Sequence, residues 1–137
     1  MATKKKPAKK KAPAKKKAVA KKASKPTVVH WELQARDPAR QQKFFGSLFG
    51  WKIDANNPMS YGMVSSGGKS AIDGGIGQAE NGETRVTVYV QVPSINATLK
   101  RAESLGGRTI MPRTDIGMVI MGQFRDPEGN VIGVIEG

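Results

Sequence analysis

The stretch Val29-His30-Trp31-Glu32-Leu33-Gln34 alternates apolar and polar residues without a break. A period of two is typical of a β-strand that buries one of its faces. The apolar residues of the stretch are therefore expected to join a core. The polar residues are expected to line a second, polar environment: His30, Glu32 and Gln34.

A second stretch, Arg85 to Val92, repeats this design, with four valines on one face and polar residues on the other: Thr87, Tyr89 and Gln91. The two stretches are separated by a constant offset of 57 residues, which places Gln34 on Gln91. An internal repeat of this kind indicates two copies of one structural unit. We assign the copies to residues 28–78 and 85–136.

The same offset aligns signals for helix ends. Asp37 falls on Ser94, and both residue types are good N-caps, while Gly50 falls on Gly107, at the point where each helix should stop. The aromatic residues of the first unit are predicted to be core: Trp31, Phe44, Phe45, Phe49 and Trp51. The run Gly74-Gly75-Ile76-Gly77 is predicted to be a strand whose glycines permit close backbone approach.

Each copy is thus a strand, a helix and three further strands, with DPARQQKFFGSLFGWKI at residues 37–53 and FRDPEGNVIGVIEG at residues 124–137. In these features the chain resembles the vicinal oxygen chelate superfamily, the fold of glyoxalases, bleomycin-resistance proteins and extradiol dioxygenases. The nearest branch is that of small uncharacterised glyoxalase-related proteins. The resemblance implies an α+β fold, in which two tandem βαβββ units form a partly open eight-stranded cup with helices outside.

The resemblance also implies where metal ligands would lie, on the leading and last strands of each unit. The positions carried over are His30, Thr87, Gly133 and its repeat mate Ile76. Only His30 has a side chain that commonly binds divalent metals. Glu136 lies three residues past Gly133 and should face the opposite side of its strand. We therefore expect an incomplete metal site, with no metal and no cofactor.

The polar faces of the two leading strands would line the cup and could bind a small organic molecule. The candidate ligand-binding residues are His30, Glu32, Gln34, Thr87, Tyr89, Gln91 and Gly133. Three of them are candidate acid/base groups: His30, Glu32 and Tyr89. The alternative is that these side chains only bond to one another. Methionines could add an adaptable wall or simply fill the core: Met63, Met118 and Met121.

Residues 1–26 are built almost entirely from Lys, Ala and Pro and contain no acidic residue. Twelve of the chain's 23 basic residues lie here, so the whole formal charge of +12 belongs to this tail. Such a segment is predicted to be disordered and to bind nucleic acid or another polyanion through its lysines. It resembles linker-histone tails and the tails of some bacterial nucleoid proteins. The lysines are Lys4, Lys5, Lys6, Lys9, Lys10, Lys11, Lys15, Lys16, Lys17, Lys21, Lys22 and Lys25.

Residues 27–137 should form one domain. The chain has no cysteine, which excludes disulfides and thiolate chemistry, and no apolar run long enough to span a membrane. We interpret the protein as a cytoplasmic, homodimeric, glyoxalase-like binder of a small molecule, tethered to a polyanion and associated with the nucleoid through its tail. Two alternatives stay open: a metal-dependent lyase or isomerase of glyoxalase type, and a nucleoid-associated protein with a vestigial cup. Whether the domain is an enzyme is left open.

Overall fold

The computed structural model describes residues 25–137. These residues form eight strands, two α-helices and a short 3-10 turn at Glu80–Gly82. The predicted tail lies outside the described residues, apart from Lys25 and Pro26. The elements are β1 (Thr27–Ala35), α1 (Pro38–Phe49), β2 (Lys52–Asp54), β3 (Gly62–Ser65), β4 (Gly74–Gln78), β5 (Arg85–Val92), α2 (Ile95–Ser104), β6 (Arg108–Asp115), β7 (Ile120–Arg125) and β8 (Val131–Glu136).

The eight strands form a single sheet in the order β2-β3-β4-β1-β5-β8-β7-β6. Its two halves meet where β1 and β5 pair antiparallel, with Trp31 opposite Val88. Val88 is also the counterpart of Trp31 in the internal repeat, 57 residues further along the chain. The antiparallel pairing of these two equivalent strands therefore marks a pseudo-two-fold axis between the two units. The open, mixed sheet with two helices confirms the predicted α+β class and the tandem βαβββ units.

Both helices begin as their sequences predict. The Asp37 carboxylate accepts a hydrogen bond from the backbone N–H of Arg40, and the Ser94 hydroxyl accepts one from Ala97. Helix α1 ends at Gly50, which adopts the left-handed conformation at φ 70°. Neither helix of the described residues is long and apolar enough to cross a membrane.

Helix α2 ends at Ser104, two residues earlier than the repeat predicts, and its left-handed glycine lies one residue earlier. Gly106 has a positive φ of 103°, while the backbone N–H of Gly107 donates to the carbonyl of Ala102 at 2.8 Å. The prediction that Gly107 stops this helix as Gly50 stops α1 is therefore wrong by one position. A pair of glycines lets the chain place the left-handed residue at the first of the two.

The two units differ in how well their helices are buried. Helix α2 packs Ile95 and Leu99 into a cluster with Val92 and Val134, whereas α1 has no fully buried residue. The exposed fractions on α1 are 54% for Phe44, 59% for Leu48 and 55% for Phe49. The prediction that Phe44 and Phe49 are core residues is therefore wrong, because α1 lies over few residues of β1 and leaves its apolar stripe partly open.

The remaining aromatic residues of the first unit are half-buried and contact one another. The ring of Trp51 lies 5.4 Å from that of Trp31 and 6.1 Å from that of Phe45, between centroids. This aromatic cluster joins α1 to the outer face of β1, although it does not exclude solvent completely.

Over the first five residues of β5 the polar face is more deeply buried than the apolar face. Thr87 and Tyr89 are 2% and 3% exposed, whereas Val86 is 69% exposed. The outer face of β5 is covered near Val92, where α2 packs, and is open near Val86. The concave face is therefore the better shielded environment for polar chemistry.

Candidate ligand-binding site

Glu32 lies at the centre of a hydrogen-bond network on the concave face. Its Oε2 accepts from the Tyr61 hydroxyl at 3.1 Å. Its Oε1 accepts from the Tyr89 hydroxyl at 3.3 Å and from Gln34 Nε2 at 3.0 Å. The carboxylate is thus held by three uncharged donors that come from both halves of the sheet.

Two further groups extend this network at its ends. His30 Nε2 lies 3.0 Å from the Tyr61 hydroxyl, and Gln123 Nε2 donates to the Tyr89 hydroxyl at 2.8 Å. Because Tyr61 gives its only proton to Glu32, this hydroxyl is left to accept from His30, which assigns the imidazole proton to Nε2. We call this chain of five residues the Glu32 network; it runs in the order His30, Tyr61, Glu32, Tyr89 and Gln123.

The central strand pair positions the middle of this network. His30 lies opposite Tyr89 and Glu32 lies opposite Thr87 in the β1–β5 register, and the pseudo-two-fold axis relates the two pairs. The rings of His30 and Tyr89 meet edge to face with centroids 5.8 Å apart. The alternating pattern of both strands therefore brings these predicted site residues to one face.

Glycines make room for the two tyrosine rings. A Cβ atom at Gly75 or Gly77 would overlap Tyr61, and one at Gly133 would overlap the ring of Tyr89. This confirms that the glycine run of β4 permits close approach of another group. The approaching groups are Tyr61 on the concave face and, at Gly74, Trp31 on the outer face.

The imidazole of His30 is held in its neutral form. Burial lowers the pKa of His30 below its ordinary value of 6.5, and the nearby carboxylates of Glu32 and Asp73 only partly oppose this effect. At neutral pH the ring therefore donates through Nε2–H to Tyr61 and leaves Nδ1 able to accept a proton.

Both tyrosine hydroxyls are held in their protonated form. Burial, followed by the charge of Glu32, raises the pKa of Tyr61 above its ordinary value of 10.0. The same two causes raise the pKa of Tyr89, although the hydrogen bond from Gln123 acts in the opposite direction. The site thus presents protonated phenols beside a carboxylate, a combination that can both donate and accept hydrogen bonds.

The other predicted site residues lie in different settings. Gln34 contributes a bond to Glu32, and Thr87 is buried beside Glu32 with an Oγ1 atom that has no hydrogen-bond partner among the described residues. Gly133 lies beneath Tyr89. Gln91 is exposed at the far end of β5, opposite Thr27, and makes no hydrogen bond with the Glu32 network.

One of the metal-ligand positions implied by the resemblance, the one on the last strand of the first unit, lies one residue earlier in the structure than the constant offset predicts. Gly133 pairs with Tyr89, and the equivalent pair in the first unit is Gly75 with Glu32, not Ile76. Ile76 is fully buried next to Leu33, so assigning it as the mate of Gly133 was wrong. The second unit has one residue more than the first between its leading and last strands, which breaks the constant offset.

The donors at these positions do not match a four-ligand divalent site. The corrected set contains one imidazole, one threonine and two glycines, and residues 25–137 contain no cluster of three or more His, Cys, Asp or Glu side chains suited to a metal. Glu136 lies on the helix side, as its spacing predicts. Its carboxylate accepts from Arg113 at 2.8 Å and from the backbone N–H of Ile95 at 2.9 Å, at the start of α2.

Sequence reasoning missed two members of the Glu32 network. Tyr61 precedes β3 and lies outside any alternating run, and Gln123 lies in a strand whose alternation is weak. The glycines at positions 75 and 77 were the available signal for Tyr61, since two glycines on one face of a strand indicate that something large lies above them.

Methionines border the polar residues on the concave face. In the sheet register Met63 lies opposite Gly75, and Met121 lies opposite Ile135. Met111 lies opposite Gln123 and was not predicted, whereas Met118 is 78% exposed in the turn between β6 and β7. Two of the three methionines proposed for the wall therefore share the face of the Glu32 network.

The fold and this concave face define a class of protein. A glyoxalase/bleomycin resistance protein/dioxygenase superfamily member from Vibrio splendidus is 16% identical, with a TM-score of 0.57 over 82% of this chain and 100% of its own. The Mn(II)-bound glyoxalase from Novosphingobium aromaticivorans is 13% identical, with a TM-score of 0.61 over 80% of this chain and 38% of its own. At these identities the likeness establishes only that the chain shares the fold of these two proteins.

A family model described as a glyoxalase-like domain matches residues 27–135. The chain therefore belongs to the glyoxalase-like domain family. It is also 31% identical over 112 residues to a protein of Mycobacterium bovis named "Putative glyoxylase CFP32". This match covers 75% of the present chain and 42% of that relative, so the chain spans less than half of the relative's length.

Proposed function

We propose that the domain binds a small organic molecule on its concave face through the Glu32 network, without a standard four-ligand metal site. The observation that carries this proposal is the half-buried Glu32 carboxylate, which takes hydrogen bonds from two tyrosine hydroxyls and one amide but pairs with no cation among residues 25–137. An ionised carboxylate has about four acceptor positions, so Glu32 can accept further hydrogen bonds from a ligand.

The residues around Glu32 indicate which chemical groups the ligand carries. The Thr87 hydroxyl is buried and has no hydrogen-bond partner within residues 25–137, so a ligand atom that bonds to it would remove the cost of that unsatisfied group. A ligand with hydroxyl or amine groups could donate to Glu32, and an apolar portion could lie against Met63 or Met121. We therefore expect a small polar molecule with one apolar side.

The same arrangement supports acid/base chemistry by side chains alone. Neutral His30 can take a proton at Nδ1, and its Nε2–H bonds to Tyr61, which in turn bonds to Glu32. The candidate acid/base groups are His30, Glu32 and Tyr89. This chemistry requires no step at a metal ion.

A thermal-shift screen of the full-length protein would test ligand binding. The library would consist of small polyols, hydroxy acids, amino alcohols and hydroxylated aromatics. Compounds that stabilise the wild-type protein should lose this effect in Glu32→Gln and keep it in Glu128→Gln, which alters an exposed turn carboxylate away from the cup. Stabilisation that is unchanged by Glu32→Gln would contradict the proposed site.

We further propose that the lysine-rich tail tethers the domain to nucleic acid or another polyanion. The support is compositional, with twelve lysines and no acidic residue in 26 positions, whereas the charges of residues 27–137 cancel. A segment that neutralises about 6–10 phosphates would lose about 10³–10⁵ in affinity between 50 and 200 mM salt.

Duplex DNA, heparin and total RNA would serve as polyanion probes for the full-length chain. Replacing all twelve tail lysines with glutamine should abolish salt-sensitive retention. Retention that survives in this variant would place the contact on the folded domain instead. Homodimer formation and cytoplasmic or nucleoid location stay predictions.

A further inference from the structure

A second cavity lies outside the Glu32 network, where β1 ends and β5 begins. It has a volume of about 630 Å³, within the range of small-molecule sites. Its wall combines three apolar side chains with three arginines: Leu33, Phe44, Val86, Arg36, Arg40 and Arg85.

Within the part of the chain that the structure describes, the arginines of this wall form no ion pair with a carboxylate. The only ion pair among residues 25–137 joins Arg113 to Glu136. One carboxylate, that of Asp37, also lines the cavity, but it accepts a hydrogen bond from the backbone N–H of Arg40 at 3.1 Å as the cap of α1. The wall therefore carries an excess of positive charge.

The arginines also have unused hydrogen-bonding capacity. Arg36 Nη1 donates to the carbonyl of Gly82 at 3.1 Å, which occupies one of its five donors. The Nε–H of Arg85 is buried and has no partner among the described residues.

The apolar part of the wall is open to solvent. Val86 is 69% exposed and Phe44 is 54% exposed, and both lie beside the arginines. A nucleic-acid backbone would bond to the guanidinium groups but would leave these two side chains in water. A molecule with an anionic head and an apolar body would satisfy both parts of the wall.

We propose that this cavity binds a small amphipathic anion, with its carboxylate or phosphate head on Arg40 and Arg85 and its apolar body against Phe44 and Val86. None of the five residues of the Glu32 network lines this cavity, although Gln34, which donates to Glu32, does. The occupant of the cavity need not be the ligand of the cup.

Isothermal titration of the full-length protein with four probes would test this site. Octanoate and octyl phosphate combine an anionic head with an apolar body, 1-octanol has only the apolar body, and inorganic phosphate has only the anion. At 300 mM salt, which screens the tail lysines, at least one of the two amphiphiles should bind with a one-to-one stoichiometry. Octanol and inorganic phosphate should bind at least tenfold more weakly.

Single substitutions would show whether the amphiphile binds in this cavity. Arg85→Gln and Arg40→Gln should each weaken the amphiphile at least tenfold. Lys43→Gln, which removes a charge from α1 outside the cavity wall, should leave the affinity unchanged. Arg40 is exposed, so its variant reports on binding even if Arg85→Gln is destabilised.

The proposal would be overturned if octanol bound as tightly as octanoate, or if neither amphiphile bound. It would also be overturned if the amphiphile bound and neither arginine variant weakened its affinity. Loss of cup binding in Glu32→Gln with retained amphiphile binding would show that the two sites are independent.

Discussion

The ring of Tyr89 occupies the space that a side chain at Gly133 would need, and the two residues lie opposite each other on β5 and β8. The first unit repeats the relationship, with Tyr61 above Gly75 beside Glu32. The family resemblance implies metal ligands near these positions. In this chain the same places hold a tyrosine ring above a glycine, in both halves of the sheet.

Replacing Gly133 with alanine should destabilise the fold. The new Cβ would overlap the body of the Tyr89 ring, and the ring could move only by breaking its bonds to Glu32 and Gln123. We expect a loss of about 1–3 kcal/mol in the free energy of unfolding, measured by urea denaturation.

Gly46→Ala is the matched control for this substitution. Gly46 lies inside α1, where an added Cβ would meet only ordinary contacts at 3.6 and 3.7 Å. This change should stabilise the protein by about 0.5–1 kcal/mol, because alanine favours a helix interior. Equal effects of the two substitutions would contradict the close packing of Tyr89 on Gly133.

The chain has only two tyrosines, and both belong to the Glu32 network. Burial and the charge of Glu32 raise the pKa of Tyr61 and of Tyr89 above 10.0, so ultraviolet absorbance at pH 10 should detect less phenolate in the folded protein than in the unfolded chain. In urea the same tyrosines should titrate near pH 10. Because the folded pKa values are raised, the stability linked to these groups is full below pH 10 and is lost above it.

Glu32→Gln provides the internal comparison for the tyrosine titration. Removing the charge should lower the pKa of both hydroxyls while leaving the contribution of burial in place. Tyrosines that titrate normally in the folded wild-type protein would mean that the hydroxyls face solvent.

His30 is the only histidine of the chain, so its imidazole resonances can be followed by NMR without assignment of other residues. Burial should keep its pKa below 6.5, and Glu32→Gln should lower the pKa further by removing a favourable charge. Since the folded pKa is lowered, the stability linked to His30 is full above pH 6.5 and is lost as the pH falls below it. A His30→Gln variant should therefore lose less stability than wild type between pH 7 and 5.5.

A measured pKa above 6.5 would contradict this account. It would indicate that the carboxylates of Glu32 and Asp73 outweigh burial, so that the imidazole is charged at neutral pH.

The buried contact between Gln123 and Tyr89 should appear as an energetic coupling. Tyr89→Phe leaves the Gln123 amide without its acceptor, at a cost of about 1–3 kcal/mol. Gln123→Met should lower the free energy of unfolding less in the Tyr89→Phe background than in the wild-type protein. The difference, measured in a double-mutant cycle, should be a coupling energy of about 1 kcal/mol. Strictly additive effects would show that the two side chains do not depend on each other.

Local patterns predicted the elements that local forces determine. The limits of β4 and β5 and the caps Asp37 and Ser94 follow from glycines, alternation and hydrogen-bonding side chains within a few residues. These signals do not depend on how the helices finally pack. They were sufficient to place His30, Glu32 and Tyr89 on one face.

Features that depend on tertiary packing could not be predicted in this way. Phe44 belongs to an apolar stripe like that of a buried helix, but its exposure depends on how far α1 extends over the sheet. The mate of Gly133 moved from Ile76 to Gly75 because a single extra residue in the second unit changes the pairing. Tyr61 enters the site from a loop, where no periodicity applies.

The central claim is that the cup is built around the Glu32 network and not around a metal ion. Untagged full-length protein would be incubated in turn with manganese, nickel and zinc, desalted, and measured by elemental analysis alongside His30→Ala. We predict far less than one ion per chain for every metal, with no difference between the two proteins. One ion per chain in wild type that disappears in His30→Ala would contradict the account.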